Sequence, residues 1–299
     1  MRQLKTRNAE LLLAGVIIAR ATSLLLSKLS MRNLGPFTLM GLRFTLAFLV
    51  LGLIFRKRFL QLRFSTLLRG IALGGTFFAV MSCELIGLKL NDSSSMTSFL
   101  ENTAVVWVPL MEAALLRHTP NGRTLLSAGL TLLGVGLLTL GGGSLHFGPG
   151  ELLCIAASVL YAFAILLTAQ LSREDDPLLL GIFQVGFIGL FGLSAAFLFE
   201  IPSLPQSAAQ WGAVVYLALV CSCFGFTLQP VAQRYVSAER AGLFCALNPL
   251  TAAVLGVLFL HEKMGPASFL GGVLILSGIL LQGIPPKKKA GIRKEKAPA

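Results

Sequence analysis

The sequence predicts an all-α polytopic membrane protein with ten transmembrane helices, arranged as two inverted five-helix repeats. Three observations predict it. Of the 299 residues, 55% are hydrophobic and only 13% charged, about half the charged share of an average soluble domain. The mean hydropathy is +0.79, and a water-facing surface on a chain of this size has to be filled with polar groups. The apolar residues fall in ten continuous runs close to the ~20 residues that a helix needs to cross a bilayer. Finally, local sequence recurs at an interval of about 141 residues.

The ten runs occupy 10–28, 37–55, 70–88, 95–116 and 124–141, then 151–171, 178–199, 211–229, 238–260 and 266–284. Continuous runs exclude a transmembrane barrel, whose strands alternate. The first run resumes beyond Arg20 and lacks a small-x-small exit, so it does not read as a cleaved signal peptide. Five cysteines are too few, and odd in number, for a disulfide scaffold. The net charge of +12 does not indicate nucleic-acid binding, because the basic residues are scattered between spans rather than gathered on one face. With the N-terminus inside, 19 of the 25 Lys and Arg fall on that side, four fall outside and two (Arg20 and Arg43) lie within spans. The positive-inside rule then predicts a multi-pass protein of the cell (inner) membrane with both termini cytoplasmic.

The repeat is visible in particular residues. Ala9-Glu10-Leu11-Leu12 at the first span matches Gly150-Glu151-Leu152-Leu153 at the sixth, and Gly129 and Gly136 match Gly271 and Gly278. The organisation is a cytoplasmic N-terminus (1–9), a first repeat (10–141), a linker (142–149) preceded and opened by Gly141-Gly142-Gly143-Ser144, a second repeat (150–284) and a basic tail (285–299) suited to anionic lipid. Five spans is an odd number, so the second repeat enters from the opposite side. Inverted repeats of this kind are common in secondary transporters, with the site near the midplane between them.

Several local signatures resemble the EamA-type branch of the drug/metabolite transporter superfamily. They are Pro36 followed by Arg43-Phe44, Gly87-Leu88-Lys89 before a Ser-rich turn, the run from Ala104 through Trp107 and Pro109 to Leu110, and Asn248-Pro249 with Glu262 downstream. The resemblance covers about residues 10–282. It implies a transporter whose substrate is a small polar metabolite, with export of an amino acid or related compound among the family's activities. Two positions depart from the pattern. Arg20 stands where the family usually has an aromatic residue, which Tyr161 keeps in the second half, and Asn248 stands where Glu is common.

A charge at the bilayer centre costs at least ~2.5–3.5 kcal/mol on insertion scales and has to face protein or a water-filled cavity. Counted from the outer span ends at ~1.5 Å per residue, Glu84 lies roughly 6 Å deep, Arg43 and Glu101 roughly 9 Å and Arg20 roughly 12 Å. Shared depth predicts a structural ion layer in which Arg43 lies within salt-bridge or one-water reach of Glu84 or Glu101. Arg20, the deepest, faces the central cavity if the repeat analogy holds. Its guanidinium suits bidentate binding of a carboxylate, with pairing to Glu84 or Glu101 as the other reading. The predicted substrate cavity is lined by Arg20, Glu101, Asn102, Tyr161, Gln229 and Asn248. Glu101 and Glu112 are eleven residues apart, on nearly one face of a helix that Pro109 should kink. They are candidate carriers of a coupling proton, because burial disfavours the charged carboxylate; pairing with Arg117 is the alternative for Glu112. Gln184, opposite Arg43 in the repeat, Gln233 and Gln282 can equally serve helix–helix hydrogen bonds.

No metal, cofactor or enzymatic motif emerges. Asp176 before Pro177 reads as a helix N-cap, Cys221 and Cys223 as packing residues, and His118, His146 and His261 lie in separate loops. A membrane-embedded lipid-modifying enzyme is the alternative function, with Glu174, Asp175 and Asp176 as its only acidic cluster. A sensor or scaffold would need a soluble domain that these short loops do not supply.

Overall fold

A computed structural model describes residues 6–31, 33–59, 62–90, 94–117, 119, 121–139, 148–260 and 265–283. The Gly141–Ser144 stretch, the basic tail 285–299, His118, His146 and the His261-Glu262-Lys263 turn lie outside them. The described chain is helical, with no strand. Large apolar side chains such as Leu53, Leu133, Phe197, Leu198 and Leu280 are exposed on the helices' outer faces. Water would not tolerate so much exposed apolar surface, whereas lipid solvates it.

The first span is two helices, α1 (Thr6–Ala21) and α2 (Ser23–Ser30), interrupted just after Arg20. Next come α3 (Pro36–Ile54), the short turn α4 (Arg56–Phe59) and α5 (Phe64–Leu90). Proline at the first position of α3 costs no helical hydrogen bond. The carboxylate of Glu200, from the end of a distant helix, accepts from Phe37 N at 2.9 Å and Thr38 N at 2.8 Å. It thus satisfies N–H groups that the helix itself leaves unpaired.

The predicted fourth span is α6 (Ser94–Asn102) and α7 (Ala104–Leu116). The break falls at Thr103, not at Pro109 as the sequence suggested. Thr103 N and Oγ1 both return to Leu100 O, at 3.1 and 2.6 Å, tightening the chain there. Pro109 sits inside α7. Glu101 and Glu112 therefore belong to different helices and do not share one helix face. Then follow α8 (Gly122–Thr139), α9 (Pro149–Glu174) and α10 (Pro177–Phe199). Asp176 caps α10 as expected, accepting from Leu178 N at 2.9 Å.

The predicted eighth span is α11 (Ala208–Tyr216), a π-helical segment (Leu217–Phe226) and α12 (Thr227–Gln233). The ninth is α13 (Ala238–Phe244) and α14 (Leu247–Leu260). Pro249 has no N–H for the carbonyl four residues earlier, at Cys245, and the helix parts at Cys245–Ala246. The last helix is α15 (Pro266–Gly283). Seven of these stretches are long and apolar enough to cross a membrane: Thr6–Ser30, Pro36–Ile54, Phe64–Leu90, Gly122–Thr139, Pro149–Glu174, Pro177–Phe199 and Ala208–Gln233. The apolar stretch Pro266–Gln282 of α15 is shorter, and the fourth and ninth predicted spans are divided by their breaks.

Small residues set close helix crossings, as expected where lipid removes the hydrophobic drive between helices. On α8 and α15, a Cβ on Gly134 would lie 2.6 Å from Gly271 O, and one on Gly271 would lie 2.6 Å from Gly134 O. Both obstacles are backbone and cannot turn aside. Gly271→Ala is expected to cost about 1–3 kcal/mol. Gly272→Ala, whose Cβ would meet only a Leu250 methyl at 3.2 Å, should cost little. Thermal unfolding midpoints of the two purified variants check this contrast.

Candidate functional site

One end of the bundle collects charge; it holds the start of α1, the α4 turn and the α9–α10 corner. Asp176 pairs with Arg58 at 3.2 Å. Arg69 pairs with Asp175 at 3.1 Å and Glu174 at 2.9 Å. Thr66 Oγ1 donates to Asp175 at 2.8 Å, and Arg234 Nη1 donates to Asp175 O at 3.2 Å. Beside them Arg240 pairs with Glu10 at 2.9 Å. Glu239 accepts from Gln282 at 3.0 Å and Thr124 at 3.1 Å. Together these contacts tie α1, α5, α8, α10, α12, α13 and α15 at this basic end. Glu174, Asp175 and Asp176 are thus engaged in ion pairs and a cap, and among the described residues no group of His, Cys, Asp and Glu could hold a metal.

From mid-bundle toward the opposite end runs a cavity of about 60 Å³. Arg20, Glu84, Glu101, Asn102, Tyr161 and Asn248 line it, with Ser98, Ser158 and Cys245 among the others. Arg20 reaches it because α1 ends one residue later, at Ala21. Glu101 and Asn102 close α6 at the Thr103 break, and Asn248 opens α14 just past the break at Cys245–Ala246. Three helix interruptions thus surround one space, where freed backbone groups are tolerated. Asn102 Oδ1, Asn248 Oδ1 and Glu101 Oε1 have no hydrogen-bond partner among the described residues.

Arg20 is the best-held group of the site. Its Nη1 donates to Gln229 Oε1 at 2.6 Å and to Tyr161 Oη at 3.1 Å. Its guanidinium lies 4.0 Å from the Phe226 ring centroid and 5.4 Å from that of Tyr161, within cation–π range. Beneath it Phe44, Phe226, Phe77 and Tyr161 form an edge-to-face chain, with successive centroids 5.0, 5.5 and 6.1 Å apart. This aromatic floor lies on the basic-end side of the cavity. Neither Glu84 nor Glu101 forms an ion pair with Arg20 among the described residues. One cation and two carboxylates therefore face the cavity without neutralising one another by contact.

Of the six predicted lining residues, the structure brings five to this cavity. Gln229 is the sixth and is not among the lining residues; it is buried on α12 and holds Arg20 from behind. Glu112 lies on α7 and does not line the cavity. Glu84, assigned by its depth to a structural layer, lines it. Arg43 makes no direct ion pair with Glu84 or Glu101. Arg43 is 1% exposed, donates to Ser27 Oγ at 3.4 Å and lies 4.6 Å from the Phe44 centroid. Depth fixes height along a helix but not the direction around it. Gln184 is fully buried. Phe226 was missed altogether, and only the aromatic character of its segment could have drawn attention to it.

The comparisons bear on the chain as a whole. The EamA-like transporter family matches residues 7–140 and again residues 148–283. An uncharacterized transporter of Archaeoglobus fulgidus is 28% identical over 288 residues, spanning 91% of this chain and 96% of that one. The uncharacterized transporter YetK of Bacillus subtilis is 27% identical over 299 residues, spanning 95% and 89%. A crystal structure at 20% identity covers 92% of this chain and 96% of its own, with a TM-score of 0.77, which shows a shared fold.

The basic-end cluster has a defined pH signature. Burial opposes ionisation of Asp175, but the Asp176 backbone N–H, the Thr66 hydroxyl and Arg69 outweigh it and hold the carboxyl below its ordinary range. Unfolding restores the higher pKa, so the unfolded chain binds more protons and stability rises with pH. The contribution is complete at neutral pH and is lost as pH falls through the lowered pKa of the folded state. Asp175→Asn should flatten the acid limb of the plot of unfolding midpoint against pH, relative to wild type.

Proposed function

The chain belongs to the EamA-like transporter family, and we propose that it is a secondary transporter that exports a small polar metabolite, an amino acid or a related compound, by alternating access. One observation carries this reading: a mid-bundle cavity presents Arg20, held by neutral groups and in no direct ion pair among the described residues, together with Glu84 and Glu101. Arg20 would take a substrate carboxylate, and the two carboxylates would suit an ammonium on the same molecule. Tyr161 would supply an amphipathic wall, and Asn102 and Asn248 the remaining polar contacts.

Ten crossings complete the reading. α6–α7, α13–α14 and α15 join the seven longer stretches, giving two inverted repeats, 10–141 and 150–284, on either side of the 142–149 linker. The basic end is then cytoplasmic, with residues 1–9 and the basic tail 285–299 beside it at the inner membrane. The cavity opens outward, while the ion pairs around Asp175 and Glu10 close the cytoplasmic side. Transport requires those contacts to exchange for others at the far end. Glu101 is the better candidate for a coupling proton because it faces the cavity; Glu112 would act from the cytoplasmic half.

The test is transport by the purified protein in vesicles, with L-amino acids and their carboxamides as matched probes. Arg20→Lys keeps the charge but loses the planar fork. It should lower initial rates for the amino acids by roughly tenfold and for the carboxamides far less. Equal losses for both members of each pair would make Arg20 a structural residue, and no transport by wild type would remove the reading itself.

A further inference from the structure

Gln229 is 1% exposed and touches the site only through Arg20. Arginine has no acceptor, so the amide oxygen has to be the atom that faces it, and the contact is short at 2.6 Å. The two hydrogens of Nη1 are then spent, one on Gln229 and one on Tyr161. Nε and Nη2 have no partner among the described residues, and neither is sealed off from the cavity. These two nitrogens form the edge of a guanidinium that matches a carboxylate side-on. One face of the same group is covered by Phe226 at 4.0 Å. On the neighbouring residue Gly225, a Cβ would lie 2.7 Å from Arg20 Cγ, so the side chain lies tight against the backbone there. The end of the π-helical segment and the start of α12 thus hold Arg20 at one ring face, along its stem and at Nη1.

The holding groups are neutral. Arg58, Arg69 and Arg240 at the basic end are each held by a carboxylate, which cancels their charge locally. A glutamate at 229 would do the same to Arg20 with almost no change of shape. A glutamine fixes the guanidinium and adds no charge of its own.

We propose that Gln229 is a positioning residue that orients Arg20 without neutralising it, so that the Nε–Nη2 edge forms the subsite for a substrate carboxylate. The proposal deepens the transport reading and rests on it. It assigns Gln229 no contact with substrate, and it makes the neutrality of residue 229 the determinant of preference for carboxylated compounds.

The experiment uses the full chain in proteoliposomes, with L-threonine against L-threoninamide and L-leucine against L-leucinamide as probes, and compares wild type with Gln229→Glu and Gln229→Met. Gln229→Glu supplies an internal carboxylate to Arg20. It is expected to raise KM for both amino acids roughly tenfold or more while moving the carboxamide values less than about twofold. Gln229→Met keeps the volume and the charge of Arg20 but drops the acceptor. It should raise the amino-acid KM by less and retain the preference for amino acid over amide. Equal shifts for acid and amide, an unchanged amino-acid KM in Gln229→Glu, or equal losses in the Glu and Met variants would each overturn the positioning role while leaving the transport reading in place. A wild-type protein that carries none of the four probes overturns both.

Discussion

A guanidinium in the middle of a helical bundle has to be solvated by protein, and the central part of this structure is organised around that requirement at Arg20. Water supplies such solvation freely at a surface. Here it is supplied by a carboxamide, a phenol and the π-faces of two rings. Each of those partners comes from the second half of the chain, while Arg20 comes from the first. The contact that makes the charge tolerable is therefore also one that joins the two halves, and it lies at the level where helices α1, α6 and α13 are interrupted. Packing, electrostatics and cavity shape are coupled at this one residue.

Much of this was legible in the sequence, and what was not has an identifiable cause. The repeat interval brought Arg20 and Tyr161 together across 141 residues, and they are in fact hydrogen-bonded. Depth singled out Glu101, helical spacing placed Asn102 near it, and the Asn248-Pro249 pair drew attention to Asn248. The partner of Arg43 was not legible, because rise per residue gives height but the azimuth depends on packing. The place of Gln229 and Phe226 was not legible either. The segment before them is π-helical from Leu217 to Phe226, which changes the number of residues per turn and shifts every side chain downstream relative to an α-helical count. At Thr103 a side-chain and a backbone bond to one carbonyl ended a helix that proline had been expected to bend. Local polar competition, which has no hydropathy signature, decided that point.

The two ends of the bundle differ in a way that the repeat makes measurable. At an offset of 141, Arg58 corresponds to Phe199, Arg69 to Gln210, Asp176 to Gly35 and Arg240 to Phe99. The end that carries Arg58, Arg69, Asp176 and Arg240 is tied by ion pairs, and the corresponding positions at the other end are uncharged. There the described contact of similar reach is Glu200 on the start of α3, a cap within one helix pair rather than a tie across the bundle. The ion pairs described above thus all lie at one end of the bundle.

That asymmetry has a mechanical consequence within the proposed transport cycle. If the halves were equivalent in sequence, the two access states would be equal in energy by symmetry. The ion pairs described at the basic end remove the equality, since opening that end separates them. The ion pairs are partly exposed, so each contributes modestly. Their joint effect is to bias the empty protein toward the state with the basic end closed. A substrate that bound Arg20 equally well in both states could not shift this bias, because only a difference in affinity moves such an equilibrium. For the carrier to turn over, the cage of Gln229, Tyr161 and Phe226 would have to hold Arg20 differently in its two states. The π-helical segment beside it is the element whose hydrogen bonds leave most room for that change.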